Sequence, residues 1–165
     1  MSIVDSILME LDQESKTTQK LLERLPEDKL SWKPHAKSQS LGVLAMHIAG
    51  TPGQIAAAAA QDTFEFSPNP TPEAKSRKEV LDAFSQNLTK ARDTLKTMDD
   101  ARMMATWKAT MKGAPIMTVP RIGLIRSILL NHLYHHRGQL SVYLRLLDVP
   151  VPSIYGPSAD ENPFA

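Results

Sequence analysis

RIGLIRSILLNHLYHHRGQLSVYLRLL, Arg121 to Leu147, is free of proline, and its leucines and isoleucines recur every three or four residues. Pro120 stands just before it, where a helix start tolerates proline, and Pro150 follows shortly after its end. The stretch predicts one long helix. It also holds His132, His135 and His136, three of the chain's five histidines.

Each residue advances about 100° around an α-helix. With His132 as origin, Ile125 and Tyr143 fall at about 20°, Leu129 and Leu147 at about 60°, and Ile128 and Leu146 at about −40°. His136, at about 40°, lies inside that apolar stripe, and His135, at about −60°, lies on its shoulder. Arg126, Arg137 and Arg145 point elsewhere. Side chains four residues apart are neighbours on a helix, so His132 and His136 are expected to stack one turn apart and face the interior.

Two imidazoles on an apolar face each need a partner for their ring nitrogens. A metal ion shared between them is one solution, and an H-x-x-x-H pair on a helix is a recurring half of a metal site. His47, in a second helical segment, is the natural third ligand. His35, in a loop beside Pro34, is a weaker choice. Three neutral imidazoles suit Zn, Ni, Fe, Co or Cu. The competing reading has core histidines satisfied by Glu14, Gln54 or Gln139 without a metal, and on the spacing alone it stays open. Glu14 falls where the first helix's repeat wants an apolar residue. It is either an acceptor for an imidazole N–H or, the preferred reading, solvent-facing after a small drift in register. Trp32 and Trp107 are expected to cap the ends of a helix bundle.

Three further segments carry helical periodicity. From Ile3 to Leu25, the residues Val4, Ile7, Leu11, Thr18, Leu21 and Leu25 share a face, and Pro26 closes the run. The second starts at Ser40, a plausible N-cap, with Leu41, Leu44, Ile48 and Ile55 on one face; Pro52 predicts a kink or break near Gly50–Gly53. The third lies between about Pro72 and Met98, where Leu81, Phe84, Leu88, Ala91, Leu95 and Met98 form the cleanest repeat. The segment from Asp99 to Val119 has room for a short helix or a turn of strand, with a turn signal at Gly113–Pro115. No alternation is strong enough to propose a sheet. The expectation is an all-α, antiparallel four-helix bundle. It would be a single domain over 1–165, with an irregular C-terminal tail from about 150. That tail is expected to fold back along the bundle, because Ile154 and Tyr155 would otherwise lie exposed.

The 165 residues include 19 basic and 18 acidic side chains, for a formal charge of +1. That balance offers no electrostatic footprint for nucleic acid or an anionic membrane. There is no cysteine, which removes disulfides, thiolate nucleophiles and Cys-type zinc sites. MSIVDSILMELDQESK turns acidic within its first residues and lacks a basic segment followed by an apolar run, so no signal peptide is expected. No apolar run approaches the roughly 20 residues that span a bilayer. A cytoplasmic location is expected.

SWKPHAKSQSLGVLAMHIAG, followed far downstream by NHLYHHRGQLSVYLRLLDVPVPSIYGPSADE, resembles the DinB/YfiT-like superfamily. The likeness covers most of the chain, and HHRGQL to YGPSADE is its most specific part. The resemblance implies a four-helix bundle in up-down-down-up order, often a homodimer, with a divalent-metal site whose ligands match His47, His132 and His136. It further implies a metal-dependent enzyme acting on a small-molecule substrate. The first reading is a transferase or isomerase dependent on a low-molecular-weight thiol such as bacillithiol or mycothiol. A hydrolase using metal-bound water is the alternative, and a non-catalytic metal-stabilised scaffold is a third. Zn, Ni or Fe would be the ion. His135, Tyr134 and Glu14 are the candidates for proton transfer.

Overall fold

A computed structural model of the chain describes residues 1–164. Helix α1 (Ile3–Leu22) opens on a capping box. The Ser2 hydroxyl accepts from the Asp5 N–H at 3.1 Å, and the Asp5 carboxylate accepts from the Ser2 N–H at 2.9 Å. The expected face of Val4, Ile7, Leu11, Thr18, Leu21 and Leu25 is buried throughout. Helix α2 (Leu41–Ala59) starts at Ser40, whose hydroxyl accepts from the Val43 N–H. Helix α3 (Arg77–Leu95) starts at Ser76 and buries Val80, Phe84, Leu88, Ala91 and Leu95. Val80 takes the place expected of Leu81, which is only partly buried.

Pro52 does not break α2. Proline lacks the N–H that would bond the Ile48 carbonyl, yet the helix runs on to Ala59. The Thr51 hydroxyl donates to the His47 carbonyl at 2.7 Å, and the whole Ile48–Gly53 stretch is buried. Burial on this scale outweighs one missing hydrogen bond. Gly53 has a packing role: a Cβ there would lie 2.2 Å from Asn87 Oδ1 of α3, so the two helices approach more closely than any side chain would allow. Helix α1 packs against α3 and against the last long helix, and α2 packs against the same two.

The all-α expectation is corrected by a three-stranded sheet. Strand β1 (Thr63–Glu65) pairs in parallel with β2 (Thr106–Met111), which pairs antiparallel with β3 (Ala114–Pro120). A short helix, α4 (Asp100–Met104), precedes β2. The hairpin turns at Lys112 and Gly113, both at positive φ (52° and 76°), the signature of a two-residue hairpin turn. Only Trp107 and Ala109 of β2 are buried, and β3 is exposed along nearly its whole length. Two inward residues do not make a legible alternation. Trp107 anchors the sheet on the helices, its indole N–H donating to the Ala58 carbonyl at 3.0 Å.

After β3 the chain enters α5 (Arg121–Leu124) and passes without a break through a π-helical stretch (Ile125–Asn131) into α6 (His132–Leu146). Arg121 is completely buried at the start of this run. Its Nε donates to the Ala59 carbonyl at 2.6 Å and Nη2 to the Gln61 carbonyl at 3.1 Å, closing the C-terminal end of α2. Nη1 reaches the Arg102 carbonyl and Nη2 the Asp62 carboxylate at 2.7 Å.

The π-helical stretch changes the register of the histidine helix. Each of its i→i+5 turns takes up an extra residue, so the apolar stripe rotates. Beyond it the buried residues of α6 are Leu133, Arg137, Leu140 and Leu144, centred roughly 110° from His132 at 100° per residue. Leu146, placed in the stripe by uniform α-helical spacing, is 57% exposed. Arg137, placed away from it, is 1% exposed. His132 and His136 therefore sit at the border of the core and are half-buried.

The tail folds back by packing Val151 and Ile154 against the core, as expected of Ile154, and by polar bonds, while Tyr155 stays out. Asp160 pairs with Arg145 of α6 and accepts from the Val151 N–H at 2.9 Å. Ser158 donates to the Val151 carbonyl at 2.6 Å, and Glu161 accepts from the Ser153 N–H at 2.6 Å. The Tyr155 side chain remains 71% exposed. Trp32 is half-buried and meets Tyr143 edge-on at 5.7 Å.

Candidate metal centre

His47 comes from the second turn of α2, and His132 and His136 from the first two turns of α6. One ligand nitrogen from each lies within 4.8 Å of the others. The His47 ring stands nearly perpendicular to both partners, with centroids 5.1 Å from His132 and 4.5 Å from His136. His35 stays in its loop, where Nδ1 accepts from the Lys37 N–H.

The hydrogen bonds assign the nitrogens. Gln139 Oε1 lies 2.7 Å from His136 Nδ1. A carbonyl oxygen can only accept, so Nδ1 carries the hydrogen and Nε2 presents a lone pair. His132 Nε2 faces that lone pair at 2.8 Å. Without a cation, His132 must protonate Nε2 and donate it, which leaves Nδ1 as a bare buried nitrogen with no partner. With a cation between the rings, both Nε2 atoms are ligands and His132 Nδ1 carries the hydrogen. The neighbouring Ile128 carbonyl favours a proton on this ring, although it does not reach hydrogen-bonding geometry with Nδ1. The donor set therefore suits a divalent ion better than it suits three imidazoles alone.

Electrostatics point the same way. Burial, and then the adjoining His136 and His132 rings, push the His47 pKa down to about 4. His132 is lowered by burial and then by His136 and His135. His136 is lowered by burial and by His135, against the raising effect of Gln139. All three are held toward the neutral imidazole at pH 7, the form in which histidine can ligate a metal. Because these folded-state values lie below the ordinary 6.5, the unfolded chain binds more protons between about 4 and 6.5, and folding weakens as pH falls through that window. The Tm of the metal-free protein is expected to be level above pH 7 and to drop between pH 6.5 and 4; His47→Leu should flatten the drop.

The proposed proton-transfer residues separate. His135 is exposed, its ring 4.9 Å from that of His136. Tyr134 turns toward α1, where its hydroxyl donates to Glu10 at 2.9 Å. Burial, with that bond and the Glu10 charge, drives its pKa far upward, so it holds its proton. Glu14 is not solvent-facing: its side chain is 13% exposed and pairs with Arg137 at 2.6 Å. Nor does it accept from an imidazole, its other partner being the Tyr155 hydroxyl at 2.9 Å. Arg137 and Arg121 are the residues that sequence reasoning missed. The signal for Arg137 was its spacing from Leu133, Leu140 and Leu144, legible only once the π-helical turn is known.

The family model for the DinB family matches residues 1–163. The chain belongs to the DinB family. This chain is 27% identical over 158 residues to the uncharacterised protein YrdA of Bacillus subtilis (strain 168), covering 96% of this chain and 91% of YrdA. A DinB-like protein from Bacillus cereus, known from a crystal structure, superposes with a TM-score of 0.75 at 26% identity, over 93% of this chain and 98% of that one. A second DinB-like protein, YjoA from Bacillus subtilis, gives 0.66 at 18% identity, over 87% and 92%. The mostly helical DinB-like fold is therefore shared at low sequence identity. Among the described residues, no helix is long and apolar enough to cross a membrane.

Proposed function

We propose that this DinB protein is a metal-dependent enzyme in which His47, His132 and His136 hold one divalent ion of the Zn, Ni or Fe kind. The observation that carries this reading is the 2.8 Å approach of two imidazole Nε2 atoms beside an orphaned His132 Nδ1. Three ligands leave a position for a small molecule, and the half-exposed rings leave it reachable from solvent. The chemistry such an ion supplies is Lewis acidity toward a bound thiol or water. The chain has no cysteine, so a thiol must arrive as a separate low-molecular-weight molecule, in keeping with transfer or isomerisation of a thiol adduct. Gln139 fixes the His136 ring, and exposed His135 stands beside it to carry a proton between the site and water. The long helices would form the up-down-down-up bundle that the resemblance implies.

Chelation is the first test. The expected result is a protein that keeps its helical circular dichroism after metal removal and loses thiol transfer to an electrophile, regained on adding metal. Unfolding on chelation would make the ion structural. Ester or amide hydrolysis without any thiol would move the assignment to a metal-dependent hydrolase.

A further inference from the structure

The α1–α6 seam holds a polar cluster that the metal centre does not use. Arg137 follows the ligand His136 directly and is buried. Its guanidinium pairs with the Glu14 carboxylate at 2.6 Å, donates to the Glu14 carbonyl at 3.2 Å, and reaches the Thr18 hydroxyl at 3.4 Å. It also donates to the Tyr155 hydroxyl from the C-terminal loop. Two rings flank it, Tyr134 at 5.2 Å and Tyr155 at 4.9 Å. Tyr155 in turn donates to Glu14 at 2.9 Å, so one phenol bridges both members of the pair.

We propose that Tyr155, Arg137 and Glu14 form a latch by which the C-terminal loop holds α6 at the rotation that presents His132 and His136 to His47. This rests on the metal reading above. The leucines of the α6 core face, Leu133, Leu140 and Leu144, are non-directional contacts that tolerate a small turn about the helix axis. Arg137 is different: its planar fork has fixed directions, and each of its hydrogen-bond partners, Glu14, Thr18 and Tyr155, lies on α1 or on the loop. A rotation of α6 that moved His136 away from His47 would pull Arg137 off Glu14 and Tyr155. Tyr155 spends its hydroxyl on this pair while most of its ring stays in solvent, so hydrophobic packing of the tail does not explain its placement. The loop that delivers it is itself braced by Asp160 on Arg145 and by Ser158 and Glu161 on the Val151–Ser153 backbone. These three are positioning residues.

The test uses Tyr155→Phe and Arg137→Lys in the full chain. Ni2+ affinity is measured by calorimetry on protein shown to be folded, and the visible spectrum of the Co2+-loaded protein is recorded. Tyr155→Phe is expected to weaken Ni2+ binding about threefold to fivefold, below the tenfold that losing a direct outer partner of a metal ligand costs because Tyr155 acts through Arg137, and to shift the Co2+ bands. Arg137→Lys keeps the charge, loses the fork, and should weaken binding further. Should the lysine variant not fold, Tyr155→Phe, which alters one hydroxyl on an exposed ring, carries the test. A Tyr155→Phe protein with lowered Tm but wild-type Ni2+ affinity and Co2+ spectrum would overturn the latch and leave a purely structural tail. Wild-type protein that binds no Ni2+ would instead remove the metal reading, before any variant is compared.

Discussion

Arg121→Met is expected to destabilise the protein by about 2–4 kcal/mol, from main-chain carbonyls left without their donor. Replacing a whole buried ion pair with apolar groups is often harmless, but here most partners cannot be replaced. Three of the four groups that Arg121 serves are main-chain carbonyls, of Ala59, Gln61 and Arg102. Met fills most of the volume and donates to none of them. The Arg102 carbonyl keeps the Ala105 N–H, while the buried Ala59 carbonyl and the part-buried Gln61 carbonyl lose the Arg121 donor, and a buried acceptor left open costs about 1–3 kcal/mol. The fourth partner, Asp62, is 78% exposed and returns to water at little cost. A chain of this size should show a fall in Tm on the order of 10 °C, read by thermal melting. Lys, a single charged point on a flexible stem, should recover only part of it. A change under 1 kcal/mol would mean that α2, α4 and the entry to α5 are held by something else.

His132→Leu should split stability from metal binding. In the metal-free protein this imidazole carries a liability, Nδ1 being buried and unpartnered. Leucine removes that fault and forfeits only the hydrogen bond to the half-buried His136 Nε2, so the chelated variant is expected to melt at or above the chelated wild type, by up to about 1 kcal/mol. The same change deletes one of three ligands. Its cost in affinity should exceed the 10–100-fold that follows loss of an outer partner alone. Ni2+ at 100 times its dissociation constant adds about 2.7 kcal/mol to the wild type, and should add nothing to the variant. A variant less stable without metal, yet equally stabilised by Ni2+, would show that His132 is a structural residue and not a ligand.

Much of this was legible in the sequence, for identifiable reasons. The caps Ser40 and Pro120, and the three-four spacing in α1 and α3, read correctly because local hydrogen bonding and one-sided burial leave a periodic trace. The histidine cluster read correctly because His132 and His136 are four apart within one α-helical turn, which the π-helical stretch before them does not disturb. That same stretch hid Arg137, since uniform 100° spacing carried the Ile125 and Leu129 face onto Tyr143 and Leu147. The sheet was invisible because β3 buries almost nothing and β2 buries two side chains. Pro52 misled in the opposite direction, its local cost being overridden by the burial of α2. Glu14 looked like an intruder on an apolar face, and only the folded chain shows the arginine, 123 residues away, that it meets.

Metal content measured by elemental analysis, on protein purified without added metal and on His47→Ala prepared beside it, bears most directly on the convergence of α2 and α6 at one ion. About one first-row divalent ion per chain in the wild type, and its loss from a His47→Ala protein that keeps its helical content, is the expected pair of results. Equal occupancy of the two proteins, or none in the wild type even after incubation with Zn2+, Ni2+ and Fe2+, would contradict it.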